Sequence, residues 1–131
     1  MNSKKEEKNR IESFVDLYAW QEAHKLALMI YEATKGFPKG EVFGLISQIR
    51  RAAVSITSNI AEGFGRSSYQ EKAHFYSIAL GSLTELQNQL ILSRDVGYLS
   101  SENCEKIFKQ SLVAHKLTYG LMRGARTIHG S

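Results

Sequence analysis

Apolar residues recur every three or four positions in four separate segments of this 131-residue chain, and short polar or glycine-containing breaks separate the segments. This spacing places the recurring side chains on one face of an α-helix. Because the breaks are short, neighbouring helices must run antiparallel. The sequence therefore predicts an all-α fold, an antiparallel up-down-up-down four-helix bundle. The predicted core stripes are Trp20, Ala23, Ala27, Ile30 and Thr34; Val42, Leu45, Ile49, Ala53, Ile56 and Ile60; Ala73, Tyr76, Leu80, Leu83, Leu86 and Leu90; and Cys104, Ile107, Ser111, Ala114, Thr118, Leu121, Ala125 and Ile128.

Capping residues indicate where two of these helices begin. Asp16 suits the N-cap of the first helix, because a carboxylate there accepts hydrogen bonds from free backbone N–H groups. Val15 and Trp20 have the spacing of a hydrophobic staple around that cap. Ser68 and Glu71 have the spacing of a capping box before the third helix.

Length and composition indicate a single soluble domain. A chain of this length buries one core, and we assign residues 14–131 to the bundle and residues 1–13, which are polar and aperiodic, to a disordered or frayed tail. Uncharged runs are shorter than the ~18 residues that a membrane span needs. The single cysteine, Cys104, excludes an internal disulfide framework. We therefore expect a cytoplasmic protein that does not enter a membrane.

The segment 42–65 has too few charges for a helix in contact with water. Its 24 residues contain three charged side chains, Arg50, Arg51 and Glu62. Both flanks of its core stripe lack the composition of a solvated face, so we predict that other copies of the chain cover them; a bundle helix with a plain exterior is the alternative. The predicted oligomer interface comprises Phe43, Gly44, Ser47, Val54 and Ala61 on a small or apolar flank, and Gln48, Arg51, Ser55, Asn59 and Glu62 on a polar flank.

A set of short motifs between residues 37 and 98 is shared with a known family. These residues are Phe37-Pro38, Glu41, Gln48, Arg50-Arg51-Ala52-Ala53, Ser55-Ile56, Asn59-Ile60-Ala61-Glu62-Gly63, Ser68, Glu71, Phe75, Ala79-x-Gly81-Ser82, Glu85 and Gly97-Tyr98. Through them, residues 14–128 resemble the four-helix bundle family encoded by intervening sequences within bacterial 23S ribosomal RNA genes. The resemblance implies a homopentamer without an established catalytic activity. It also implies kinship with the accessory protein of diversity-generating retroelements, a basic pentamer that binds nucleic acid and a reverse transcriptase.

Motifs of catalytic or metal chemistry are incomplete in this chain. Glu71 and His74 form one E-x-x-H unit, but the second unit that di-iron bundles use is absent. Cys104 falls on a core stripe, where cysteine usually acts as a small hydrophobe. The glycines at 63–66 lack the length and the Lys-Ser/Thr of a phosphate-binding loop. We expect no enzyme activity, no cofactor and no metal.

The last segment carries the net positive charge. Residues 1–105 contain 12 basic and 13 acidic side chains, whereas residues 106–131 contain five basic and no acidic ones. Lys109, Lys116 and Arg123 recur every seven residues opposite the core stripe, with Lys106 and Arg126 beside them. A solvated face would explain this stripe, but such a face normally mixes both signs of charge.

We therefore predict a non-enzymatic homo-oligomer that binds structured nucleic acid, RNA foremost, through this basic helix. No aromatic stacking platform is evident, so binding is expected to depend on shape and charge. The alternative is a protein-interaction scaffold that recruits a partner enzyme such as a reverse transcriptase.

Overall fold

The computed structural model describes residues 10–130, with the side chains of residues 10–128. Its four α-helices are α1 (Tyr18–Thr34), α2 (Leu45–Gly65), α3 (Tyr69–Asp95) and α4 (Ser101–Gly130), and short 3-10 helices at Phe14–Asp16 and Lys39–Glu41 precede α1 and α2. Each helix packs against the next, and α1 also packs against α4. This arrangement confirms the predicted four-helix bundle.

Contacts between α3 and α4 show that the two helices are antiparallel. Ser77, near the start of α3, donates to the sulfur of Met122 late in α4 at 3.1 Å. Gln87, in the second half of α3, donates to Ser111 early in α4 at 3.0 Å.

The predicted stripes form the core, with two wrong assignments at their ends. Val42 is 50% exposed because α2 begins three residues later, so helical periodicity does not apply to it. Ile128 is 52% exposed. With 30 residues, α4 is 13 residues longer than α1, or roughly 20 Å at the rise of an α-helix. Where α1 no longer covers α4, a small second cluster takes over the packing. It consists of Ala73, Tyr76, Met122 and Ala125.

The predicted N-cap at Asp16 is wrong. Asp16 ends the preceding 3-10 helix, where its carboxylate accepts hydrogen bonds from the backbone N–H groups of Glu12 (2.9 Å) and Ser13 (3.1 Å). The α-helix begins at Tyr18 without a side-chain cap. Part of the predicted tail, residues 1–9, lies outside the described residues, and Ser13 itself caps the 3-10 helix.

The predicted staple also has a different member. Val15 is 44% exposed, whereas the ring of Phe14 meets Trp20 edge-on at 5.3 Å between centroids. Trp20 in turn stacks on His24 at 4.7 Å. One half of the predicted capping box is present, since the Ser68 hydroxyl accepts the N–H of Glu71 at 3.1 Å.

Helices α2 and α3 lie close together at Gly63. A Cβ atom at this position would lie 2.6 Å from Cε1 of Tyr76, closer than real Cβ contacts allow. Two turns earlier in α2, the hydroxyls of Ser55 and Ser82 are 2.8 Å apart and share a hydrogen bond. Asn59 donates to both the carbonyl and the hydroxyl of Ser55, at 2.8 and 3.1 Å. Small side chains therefore set the separation of these two helices.

This close approach predicts that substituting alanine for two nearby glycines changes the free energy of unfolding by different amounts. Gly63→Ala should lower the free energy of unfolding by about 1–3 kcal/mol, because the added methyl overpacks the contact with Tyr76. The matched control is Gly65→Ala, since a Cβ there meets no atom within 4 Å; it should leave stability unchanged or raise it by up to about 1 kcal/mol. Urea unfolding followed by circular dichroism measures both variants. Equal effects would show that α2 and α3 can separate freely.

Candidate assembly and nucleic-acid surfaces

The predicted oligomer interface lies on the outer surface of α2, and none of its residues is buried within the single chain. Phe43, in the turn before α2, is 96% exposed, and Val54 is 45% exposed. Ser55 and Asn59 are half-buried because they bond towards α3. Coverage of these residues by other copies stays a prediction. Ser47, Gln48, Arg51 and Glu62 are exposed, and Gly44 and Ala61 are half-buried.

Helix α3 extends this weakly charged surface, which the sequence prediction missed. Between Lys72 and Arg94, α3 carries a single charged side chain, Glu85. Its exposed residues in that stretch include Ile78 and Leu92. The signal was present in the sequence as 21 residues with one charge, but only the fold shows that they adjoin α2.

A surface groove of about 640 Å³ runs beside the outer face of α2. Predicted interface residues form half of its lining, and an aromatic ring of α1 closes the far side. The lining residues are Tyr31, Val42, Ile46, Ser47, Arg50, Arg51, Val54 and Ser55.

The two adjacent arginines that line this groove differ in their contacts. Arg50 donates to the hydroxyl of Thr34 at 2.8 Å and to the carbonyl of Tyr31 at 3.3 Å, and its guanidinium lies 4.6 Å from the Tyr31 ring centroid. These contacts hold α1 against α2. Arg51, by contrast, is exposed.

Glu62, another residue of the predicted interface, pairs with Arg66 at 3.0 Å while 57% of its side chain remains exposed.

All five predicted nucleic-acid-binding residues of α4 are exposed, but their charges are not equally free. Lys106 lies 3.9 Å from Glu102, and Lys109 lies 3.5 Å from Glu105. Glu102 and Glu105 lie one helical turn before these lysines, just outside the range 106–131 in which no acidic residue occurs. Positive charge without an acidic partner among the described side chains is therefore concentrated further along α4. These residues are Lys116, Arg123 and Arg126, the last of which donates to the Ser77 hydroxyl at 3.3 Å.

An aromatic side chain lies within this basic part of α4. Tyr119 is 45% exposed and stands three residues after Lys116 and four before Arg123, so the three share one helix surface. Its ring is nearly parallel to that of His115, with an angle of 7° and 6.4 Å between centroids. The expectation that α4 has no aromatic stacking platform took no account of this exposed ring. The missed signal was the tyrosine spaced one turn from two cations.

A family model described as 23S rRNA-intervening sequence protein matches residues 15–120. The chain belongs to this family. Its fold is similar to the crystal structure of a protein of unknown function from the S23 ribosomal protein family of Bacteroides thetaiotaomicron VPI-5482. The two are 25% identical with a TM-score of 0.74, and the similarity covers 79% of this chain and 97% of the other. No curated protein matches the chain.

Several residues that carry the resemblance to the intervening-sequence proteins meet at one end of the bundle. The Tyr98 hydroxyl donates to the Glu41 carboxylate at 2.8 Å, which joins the turn after α3 to the turn before α2. The same carboxylate accepts the N–H of Leu45 at 3.2 Å and so caps α2. The Tyr98 ring packs 5.7 Å from that of the buried Phe37. Gly97 makes the turn possible with a φ of +87°.

This hydrogen bond shifts the pKa values of both partners. The pKa of Glu41 is lowered, mainly by the Tyr98 hydroxyl and then by the Leu45 N–H. The pKa of Tyr98 is raised, mainly by its bond to Glu41. The folded protein therefore favours the carboxylate and the neutral phenol together.

The described part of this family member provides no cluster of three or more His, Cys, Asp and Glu side chains that could hold a metal ion. Glu71 and His74 are both exposed. Cys104 is a buried free thiol 3.7 Å from the carbonyl of Leu90. Within residues 10–130, the helices lack the combination of length and apolarity that crossing a membrane requires.

The Glu41–Tyr98 bond predicts a stability difference that depends on pH. Because the pKa of folded Glu41 is lowered, the bond stabilises the fold above about pH 4 and is lost as pH falls through the folded value. Because the pKa of folded Tyr98 is raised, stabilisation is complete below about pH 10 and is lost as pH rises through the folded value. The difference in unfolding free energy between wild type and Tyr98→Phe should therefore be largest between about pH 5 and 9.

Thermal unfolding of both proteins across this range measures the effect. Tyr18→Phe is the control, because Tyr18 is 71% exposed, and it should not change the pH profile. A constant difference between wild type and Tyr98→Phe at every pH would contradict the assigned ionisation.

Proposed function

We propose that this protein is a non-enzymatic homo-oligomer, pentameric by family resemblance, that acts in the cytoplasm and binds structured nucleic acid, RNA foremost, through α4. The observation that carries this proposal is the positive charge of Lys116, Arg123 and Arg126, which lies on an exposed helix surface without acidic partners among the described residues. Lys and Arg in such a position can neutralise phosphates and release counterions. The family description, 23S rRNA-intervening sequence protein, supports RNA as the first nucleic acid to test.

The α2–α3 surface supports the oligomeric part of the proposal. It exposes apolar side chains such as Phe43 and Val54, and the charged residues of α2 and α3 away from the helix ends are Arg50, Arg51, Glu62 and Glu85. The basic residues belong to α4, which is not one of the two helices that form this surface. Self-association through it would leave α4 accessible and repeat the basic surface around the assembly, so that weak phosphate contacts add.

The alternative function is a scaffold that recruits a partner enzyme, such as a reverse transcriptase. The nearly complete exposure of Phe43 favours this alternative, because a large aromatic side chain in a pocket is a common anchor of protein interfaces. Salt dependence separates the two functions, since nucleic-acid binding weakens steeply with salt and capture of an apolar anchor does not.

If other copies of the chain cover the outer face of α2, a charge introduced on that face should disrupt the oligomer. Ala61 lines a surface pocket of about 580 Å³, so an arginine there has room within one chain but would enter the predicted contact between copies. Ala61→Arg should therefore lower the mass measured by light scattering at micromolar concentration. Leu28→Arg is the control, because it adds the same charge at a 58% exposed position of α1 and should keep the wild-type mass. A monomeric wild type, or an unchanged mass for Ala61→Arg, would refute the predicted interface.

Nucleic-acid binding predicts a change in salt dependence when the α4 cations are removed. Changing Lys109, Lys116 and Arg123 to glutamine should weaken binding to structured RNAs of unrelated sequence. It should also flatten the plot of log affinity against log salt by about 0.7–0.9 for each phosphate that the variant no longer neutralises. Because Lys109 is paired with Glu105, restoring Lys116 should recover more affinity than restoring Lys109.

Fluorescence anisotropy titrations at several salt concentrations measure this prediction. The matched control changes three exposed lysines outside α4 to glutamine, and it should leave the slope almost unchanged. These lysines are Lys25, Lys35 and Lys39. The proposal fails if wild type shows no saturable binding at low salt, or if the α4 triple variant binds as tightly as wild type.

A further inference from the structure

Tyr119 has an exposed aromatic ring that the fold does not use. It is 45% exposed and belongs to neither of the two hydrophobic clusters of the described residues. Its hydroxyl has no hydrogen-bond partner within the described part of the chain, and its ring contact is the parallel arrangement with His115. A tyrosine in this state contributes little to folding and presents aromatic surface to solvent.

The cations around Tyr119 differ from those around other exposed tyrosines. Lys116 and Arg123 lie one turn on either side of it, roughly 10 Å apart along the helix, and neither has an acidic partner among the described residues. Tyr69 also lies near two cations, but both are engaged elsewhere. Arg66 pairs with Glu62 and stacks on a phenylalanine ring, and Lys72 donates to two backbone carbonyls.

An aromatic ring between free cations is the combination that binds an unpaired nucleotide. The ring stacks on the base, whichever base it is, and the cations contact the adjoining phosphates. An apolar peptide would leave the charges of Lys116 and Arg123 without a counter-charge. The charges therefore favour a nucleic acid over a peptide as the occupant.

We propose that Tyr119 stacks on an unpaired base of the bound nucleic acid, in a loop, a bulge or a single-stranded end. This inference rests on the proposed nucleic-acid binding by α4 and specifies its ligand. Bases within a duplex are already stacked on each other, so the proposal predicts a preference for RNA with unpaired residues over a fully paired duplex of equal length.

The test uses a hairpin RNA with 2-aminopurine in its loop and a duplex of equal length. Tyr119→Leu should weaken hairpin binding about 5- to 100-fold and leave duplex binding unchanged. Tyr119→Phe should bind the hairpin like wild type, because the phenyl ring still stacks. The full-length wild type and the phenylalanine variant should quench 2-aminopurine fluorescence on binding, and the leucine variant should not. Tyr18→Leu, on α1, is the control and should behave like wild type.

The outcomes distinguish stacking from charge-driven binding. If Tyr119→Leu binds the hairpin as tightly as wild type, while the α4 glutamine variant still loses affinity, stacking is refuted and phosphate binding stands. If wild type binds neither RNA at low salt, the proposed function fails and stacking fails with it. If the leucine variant does not fold, the 2-aminopurine fluorescence measured with wild type and with Tyr119→Phe decides between the outcomes. Stacking is refuted if neither protein quenches this fluorescence at any position of the loop.

Discussion

The close packing of α2 against α3 is the contact on which the surfaces of this protein depend. Gly63 has no Cβ to strike the Tyr76 ring, and Ser55 and Ser82 bond directly across the seam. These small side chains let the two backbones come close together, and the serine hydroxyls that they bury are hydrogen-bonded to each other. Asn59 is drawn into the same seam through its bonds to Ser55. The outer parts of the two helices consequently form one continuous, weakly charged surface.

Interactions at the end of the bundle keep this surface in place. Glu41 caps α2 through Leu45 and accepts the hydroxyl of Tyr98 from the turn that follows α3. A Cβ at Gly44 would lie 2.6 Å from the Glu41 carboxylate, so a larger residue there would require this side chain to move. Phe43 is left outside this packed corner, where its ring is available to another molecule.

The residues that carry the family resemblance thus act mainly in folding. Arg50 joins α1 to α2, Gly63 sets the helix separation, Ser68 caps α3, and Gly97 with Tyr98 forms the turn towards α4. Membership of the intervening-sequence family consequently predicts the bundle more strongly than it predicts a chemistry. The basic residues and Tyr119 of α4 do not belong to the set of residues that carry the resemblance.

The sequence by itself determined the four helices, most of the core and the scarcity of charge on α2, because helical periodicity and composition are local properties of a chain. Local patterns failed at the ends of elements, where Val42 lies before α2 and Asp16 belongs to a 3-10 helix.

Tertiary structure alone decided which residues meet across long separations. Tyr98 reaches Glu41 over 57 residues, and exposed residues of α3 such as Ile78 extend the weakly charged surface of α2. It also showed which cations of α4 are paired and that the Tyr119 ring remains exposed. Whether a charged side chain is paired, and how far a ring is exposed, depends on the side chains that neighbouring helices place beside it. The periodicity of one helix does not show which side chains those are.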